Sequence, residues 1–341
     1  MKDFYIASCG DRPDAGIYRI AFPEGGKPET ADFTPLQGAN YMIPSADRKT
    51  LYVTCGSRET GGGIAAFAIG TDGSLTELNR CLLPDHYACH GMASPDGKFF
   101  YTANYSYASV TEYRLAPDGS IAGEAQTIVH PGRGVREDRQ ESAHPHCAML
   151  TPDGQYLCVA DLGIDALCLY RLTPEGIRAP GHIVKMAPGS GPRHIIFAPD
   201  GKTAYLLNEL GNSVTRLHYS GGDFMVLETV SSLAPEMVGN TKASAIRFSP
   251  DFRYLYASNR GFDTVAVWAI AEGFGALHGL KLIPSGGISP RDIGFLPDGK
   301  HFAACNEFSD TVTFFAVSPE NGILQDLPWK LQMLRPLALF Y

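Results

Sequence analysis

Between Gly189 and Leu210 the chain reads GSGPRHIIFAPDGKTAYLLNEL, two short apolar runs, His194–Ala198 and Ala204–Leu207, joined by Pro-Asp-Gly-Lys. Asp and Gly at that junction supply the turn conformations of a tight β-hairpin. The turn aspartate recurs as Asp47, Asp96, Asp153, Asp200, Asp251 and Asp298, at separations of 49, 57, 47, 51 and 47 residues. Around it stand six related segments, among them CHGMASPDGKFFYTANY, HPHCAMLTPDGQYLCVADL, ASAIRFSPDFRYLYASNRG and PRDIGFLPDGKHFAACNEF. Self-similarity at such a period means that each copy is one supersecondary unit, which must bury its apolar faces against the next.

Each hairpin is followed by a third strand-like run (GIAAFAI, ASVTEYRL, DALCLYRL, NSVTRLHY, DTVAVWAI, DTVTFFAV) and a weaker fourth one. Four strands in about 45 to 50 residues is the period of a β-propeller blade. Neither the Trp-Asp nor the kelch double-glycine signature accompanies it. The opening segment supplies FYIASCG, GIYRIAF and ADFTPL, the second to fourth strands of a blade without its first. The closing RPLALFY reads as that missing strand, and residues 1–38 with 334–341 make 46, one repeat. The expectation is an all-β, seven-bladed β-propeller of four-stranded antiparallel blades. A single domain over residues 1–341 would be closed by pairing the C-terminal strand with the N-terminal strands, leaving no open edge at the seam.

A chain 44% hydrophobic and 19% charged, with 37 Gly and 24 Pro, suits a turn-rich all-β protein. Its formal net charge of −8 argues against nucleic acid or an anionic membrane surface as the main partner, so any anion site has to be local. No signal-type h-region and no long apolar run is visible, and a cytoplasmic location is expected. The eight cysteines contain no CxxC and fall mostly inside apolar runs, which reads as buried thiols. No metal and no cofactor are expected, and the chain reads as a monomer or weak homodimer. One repeat is longer than the rest, by the polar segment Ile128–Ala143, either a functional loop or a solvated insertion.

In a blade the start of strand one and the end of strand two share a face. Seven residues before each turn Asp stand Asn40, Cys89, His146, Arg193, Ser244 and Arg291; nine after stand Gly56, Tyr105, Leu162, Glu209, Arg260 and Glu307. These twelve positions are expected to ring one mouth of a channel. In an acidic chain they concentrate three arginines and a histidine, with His144 beside them. Guanidinium groups in a partly desolvated mouth suit a phosphate or carboxylate, which arginine binds bidentately. Alternatively, Arg193–Glu209 and Arg291–Glu307 are cross-strand ion pairs serving structure, which leaves unexplained Arg260, expected opposite Ser244. His90 and His194 lie one position inward and are expected to line the channel. The column Cys55, Asn104, Asp161, Asn208, Asn259 and Asn306 reads as strand-end capping. With no GxSxG, HExxH or phosphate-cradling glycine loop, activated water is the expected nucleophile.

At HPHCAMLTPDGQYLCVADLG, GPRHIIFAPDGKTAYLLNE, SPDFRYLYASNRGFDTVAVW and SPRDIGFLPDGKHFAACNEFSDTV the sequence resembles the seven-bladed propeller lactonases. That family includes propeller-type 6-phosphogluconolactonases and the fungal carboxy-cis,cis-muconate cyclase. The resemblance implies a lactone-processing site whose residues fall here on His146, Arg193, Glu209 and Arg260. Arg291, His144, His194 and Glu307 are added from the ring as substrate-binding candidates. The expected partner is a small anionic lactone, and the expected activity is a 6-phosphogluconolactonase. Alternatives are a lactonising cyclase acting on a muconate-like dicarboxylate, a non-catalytic ligand- or protein-binding propeller, and a calcium-dependent gluconolactonase. Two departures from the pattern, Asp251-Phe252 at a turn and the irregular CHGMASPDG copy, touch none of these residues.

Overall fold

The structure, a computed structural model, describes residues 3–57, 59–84 and 86–341. All of its regular structure is β, in seven four-stranded antiparallel sheets. Blade one consists of Tyr41–Pro44, Thr50–Ser57, Gly61–Ile69 and Leu75–Leu83, and blade two of Ala88–Ala93, Phe99–Asn104, Ser109–Leu115 and Ile121–Val129. Blade three follows as Pro145–Leu150, Tyr156–Asp161, Ala166–Thr173 and Gly176–Lys185, and blade four as Pro192–Phe197, Thr203–Asn208, Ser213–Ser220 and Asp223–Ser231. Lys242–Phe248, Tyr254–Arg260, Thr264–Ile270 and Leu277–Pro284 make blade five; Pro290–Phe295, His301–Asn306, Thr311–Val317 and Leu324–Gln332 make blade six. Blade seven joins the C-terminal Pro336–Phe340 to Phe4–Ser8, Gly16–Ala21 and Glu29–Pro35, in that order. The seam pairs Tyr5 with Phe340, Ile6 with Leu339 and Ala7 with Ala338, so the chain is a seven-bladed β-propeller closed as its termini predict.

The repeated turn shows why aspartate and glycine recur. Asp200 Oδ1 accepts the amides of Lys202 and Thr203 at 2.9 and 2.8 Å, while Gly201 takes a φ of 66°. Phe252 holds the same left-handed conformation at 57° without being glycine, and its ring packs on Phe248 and Phe274. That conformation costs an L-residue roughly 1–2 kcal/mol, which the ring contacts offset.

The chain divides into two compact units. One comprises Leu36–Ile195 and Tyr219–Phe224 and holds blades one to three. Within it Tyr52, Phe100 and Tyr113 pack blade one on blade two, and Tyr101, Val110, Leu157 and Val159 pack blade two on blade three. The other comprises Met1–Pro35, Ile196–His218 and Met225–Tyr341 and holds blades five to seven. Tyr256, Phe295, Phe302 and Phe315 fill the space between blades five and six, and Phe4, Ile6, Cys305 and Phe314 that between six and seven. Inner strands are buried on both faces, as in Phe99–Asn104, whereas fourth strands such as Glu29–Pro35 are largely exposed. No helix of the described residues is long and apolar enough to cross a membrane, and all eight cysteines are free.

The segment Ile128–Ala143 is largely exposed, but buried residues anchor it. Gln140, fully buried, donates to the Leu162 carbonyl at 2.8 Å, accepts the Arg136 amide at its Oε1, and receives Gly134 N–H at its own carbonyl. His130 is buried as well.

Candidate active site

The column seven residues before the turn is, in four blades, a column of β-bulges. In blade two the ladder passes from Ala88–Asn104 to His90–Ala103, leaving Cys89 outside it. Blade three skips His146 between Pro145–Asp161 and Cys147–Ala160, and blade six skips Arg291 between Pro290–Asn306 and Asp292–Cys305. Blade five has a wider irregularity over Ser244 and Ala245. A bulge frees a residue from the ladder and re-aims its side chain, and in blades three and six the preceding Pro145 and Pro290, which have no N–H for the ladder, fit such a place. Two expectations that assumed an unbroken hairpin are therefore corrected. Arg260 stands opposite Lys242, not Ser244, and Glu307 pairs with Arg335 at 2.6 Å, not with Arg291.

In the first unit the bulges collect imidazoles and thiols. His146 Nδ1 lies 3.7 Å from Cys89 Sγ, and reciprocally His90 Nε2 lies 3.6 Å from Cys147 Sγ. The His194 ring stands edge-on to His90 and His146 at centroid distances of 5.3 and 5.4 Å, with Tyr41 stacked on His90 at 4.2 Å. All three histidines are nearly inaccessible to solvent.

Hydrogen-bond partners assign their protons. His90 Nδ1 accepts the Ala148 amide, and His194 Nε2 accepts Arg193 Nη1–H at 3.2 Å, because a guanidinium only donates. Both imidazoles thus spend a lone pair inside the protein. The Cys89 thiol is different: the carbonyls of Ala103, Pro145 and His146 lie within 3.6 Å to take its proton. Cys89 Sγ thus ties the bulge of blade two to the backbone and the ring of His146 in blade three. His144, two residues earlier, has both ring nitrogens engaged, Nδ1 with the Tyr105 carbonyl at 3.0 Å and Nε2 with Glu141 at 3.1 Å. It also stacks on Tyr105 at 4.2 Å, so its contacts fix the segment that carries His146.

In the second unit the same kinds of position carry full charges. Arg260 Nη2 meets Glu209 Oε2 at 2.8 Å, with the carboxylate 3% exposed and the guanidinium 14%. Arg260 also donates to the Ala243 carbonyl at 3.3 Å, and its buried Nε has no hydrogen-bond partner. Burial pushes the Arg260 guanidinium below its ordinary pKa, Glu209 and Glu307 oppose that shift, and Arg291 reinforces it. Arg335 neutralises Glu307. Three arginines thus face two carboxylates, and among the described residues Arg291, half-buried, makes no ion pair. An anion would complete that balance, since stripping water from a guanidinium without a counter-charge is costly.

The sequence missed Tyr41, Arg335 and Arg139. Tyr41 belongs to the column six before the turn, where His90, Cys147 and His194 also stand. Arg335 precedes the closing strand, and Arg139 reaches the Tyr105 hydroxyl at 3.2 Å from the long loop.

The model of the family described as "Lactonase, 7-bladed beta-propeller" matches residues 3–339. A 6-phosphogluconolactonase of Bacillus subtilis is 35% identical over 76% of this chain and 74% of its own. Among solved structures, the periplasmic gluconolactonase of Pseudomonas aeruginosa superposes with a TM-score of 0.94 at 28% identity, covering 99% of this chain and 98% of that one. A candidate 6-phosphogluconolactonase from Bacteroides fragilis gives 0.91 at 31% identity, with 99% and 97% covered. With bulges displaying His146 and Arg291, a buried Arg260–Glu209 pair and a family match from end to end, this chain belongs to the seven-bladed β-propeller lactonases.

Proposed function

We propose that the protein is a 6-phosphogluconolactonase, hydrolysing 6-phospho-D-glucono-1,5-lactone to 6-phosphogluconate with water as nucleophile. The observation that carries the reading is the surplus charge of Arg291 beside the paired Arg260–Glu209 and Arg335–Glu307, in a chain whose family match spans residues 3–339. His146 takes a proton from water as the oxygen adds to the lactone carbonyl. Arg193, a donor that cannot lose its proton, faces the carbonyl oxygen as it becomes anionic. Collapse of that oxyanion breaks the bond to the ring oxygen, which receives the proton back from His146. Glu209 orients Arg260, and Arg260 with Arg291 holds the phosphate bidentately. His144 and His194 act by fixing their neighbours, and Glu307 by engaging Arg335.

The relative from Bacillus subtilis supports the phosphorylated substrate, and the uncompensated charge of Arg291 supports an anionic one. Eight free thiols fit the proposed cytoplasmic location. The test is turnover of freshly generated 6-phosphogluconolactone, corrected for spontaneous hydrolysis, beside a muconate-type dicarboxylate. Hydrolysis of the lactone alone supports the reading, and turnover of the dicarboxylate alone replaces it with the cyclase.

A further inference from the structure

Six blades carry the same column at the end of strand two, which lets the protein serve as its own control. Asn104 donates to Ser109 Oγ and Thr111 Oγ1, at 3.0 and 2.9 Å, and Asn208 to Ser213 and Thr215 at the same distances. Asn259 likewise reaches Thr264, and Asn306 reaches Thr313. These side-chain amides tie the end of strand two to hydroxyls on strand three.

Blade one has Cys55 in place of the asparagine, and blade three breaks the pattern at both ends of the tie. The asparagine is Asp161, and the hydroxyl positions are Ala166 and Cys168. A carboxylate only accepts, so Asp161 needs donors, and three are supplied. Its Oδ1 takes the amides of His144 and Gly163 at 2.8 and 2.9 Å, and its Oδ2 takes His130 Nδ1–H at 2.7 Å. Behind His130, Nε2 meets the Tyr170 hydroxyl at 2.6 Å. Burial raises the Tyr170 phenol well above its ordinary pKa, which keeps it a donor. Asp161 is fully buried and His130 nearly so. One end of this chain belongs to the loop Ile128–Ala143 and the other to the segment His144-Pro145-His146.

We infer that Asp161, backed by His130 and Tyr170, is a positioning unit that holds the His144 amide and so sets the direction of the bulged His146. This rests on the reading of His146 as the base. A buried carboxylate with three donors is rigid because moving any one of them leaves a buried polar group unsatisfied. The exchange of Asn for Asp, with loss of the hydroxyls and gain of His130, occurs in the blade that carries His146. The asparagine tie would leave the His144 amide without its acceptor.

The experiment is a pair of substitutions. Asp161→Ala removes all three acceptor contacts, and kcat is expected to fall about 100-fold with KM within about threefold, the signature of a defect in the chemical step. Asp161→Asn keeps Oδ1 for both amides and offers its NH2 to His130, which then moves its proton to Nε2 and donates it to the Tyr170 hydroxyl oxygen; kcat is expected to stay within about threefold of wild type. Nitrogen-15 spectra of labelled protein should show the His130 proton on Nδ1 in wild type and on Nε2 in Asp161→Asn. Wild-type kcat in the alanine variant overturns the inference, and so does an asparagine variant as impaired as the alanine one. Should Asp161→Ala not fold, His130→Ala against His130→Asn makes the same comparison: Asn restores a donor to Asp161 and should recover a loss of about tenfold. Equal activity of those two variants also overturns it. A wild-type protein inert toward lactones defeats the functional reading instead. The His144 amide then decides: slow hydrogen exchange that becomes fast in the alanine variant supports the positioning unit, and fast exchange in wild type removes it.

Discussion

The imidazole cluster of the first unit and the arginine–glutamate cluster of the second share one column of the repeat, the one that holds His146 and Arg291, yet they are held by opposite means. His90, His146 and His194 are imidazoles fixed by weak partners, two thiols, an amide and a guanidinium. Arg260, Glu209, Arg335 and Glu307 are charges held by charges, at 2.8 and 2.6 Å, with Arg291 left over. The difference separates two tasks. Moving a proton calls for a group that can both accept and return it, whereas holding an anion calls for a fixed positive excess that does not titrate.

The largest effect should come from removing the scaffold of the charged cluster. Deleting Arg335–Tyr341 takes away the ladder partner of Phe4–Ser8 and the counter-ion of Glu307, leaving buried backbone groups unpaired. Loss of the cooperative melting transition is expected, and an unchanged melting temperature would break the closure model.

Next comes the imidazole side. His146→Ala should lower kcat by about a thousandfold, in the range of a lost general base, with little change in KM. A loss of the same size in His90→Ala, with the fold intact, would show that His146 is not singled out as the base. Arg193→Lys keeps the charge but loses the planar fork and its donor to His194, and should depress kcat more than it raises KM.

Smaller still, Arg260→Ala should raise KM for the phosphorylated lactone about tenfold or more while affecting unphosphorylated gluconolactone much less. Arg335→Ala leaves Glu307 uncompensated, so that two arginines face two carboxylates, and it should raise KM for the phosphorylated lactone by less than Arg260→Ala does, about threefold, with the plain lactone unchanged. Equal losses on both lactones for Arg260→Ala would merge the two tasks that the comparison keeps apart.

The architecture was legible because a turn aspartate at nearly fixed spacing counts blades, and complementary terminal strands close them. The columns holding His146, Arg193, Glu209 and Arg260 followed from the same count. Partners were not legible, since counting assumes an unbroken ladder and a bulge adds a residue without a strong sequence mark. Only Pro145 and Pro290, just before the bulged His146 and Arg291, hinted at it. Asp161 stood in the sequence as the one carboxylate in a column of four asparagines and Cys55, but its meaning needed His130, 31 residues away and in the segment that interrupts the repeat. The long loop reads as polar, and its buried Gln140 and His130 emerge only when the groups they satisfy are in place.

The central claim is that a surplus guanidinium reads the substrate's anion. Its most direct test is the ratio of kcat/KM for 6-phosphogluconolactone to that for gluconolactone, in wild type and in Arg291→Ala. The account expects a wild-type preference of about a hundredfold or more, falling to within about tenfold in the variant as phosphate binding is lost and rates on the plain lactone persist. A wild-type ratio near one, or a ratio that Arg291→Ala leaves unchanged, would contradict it.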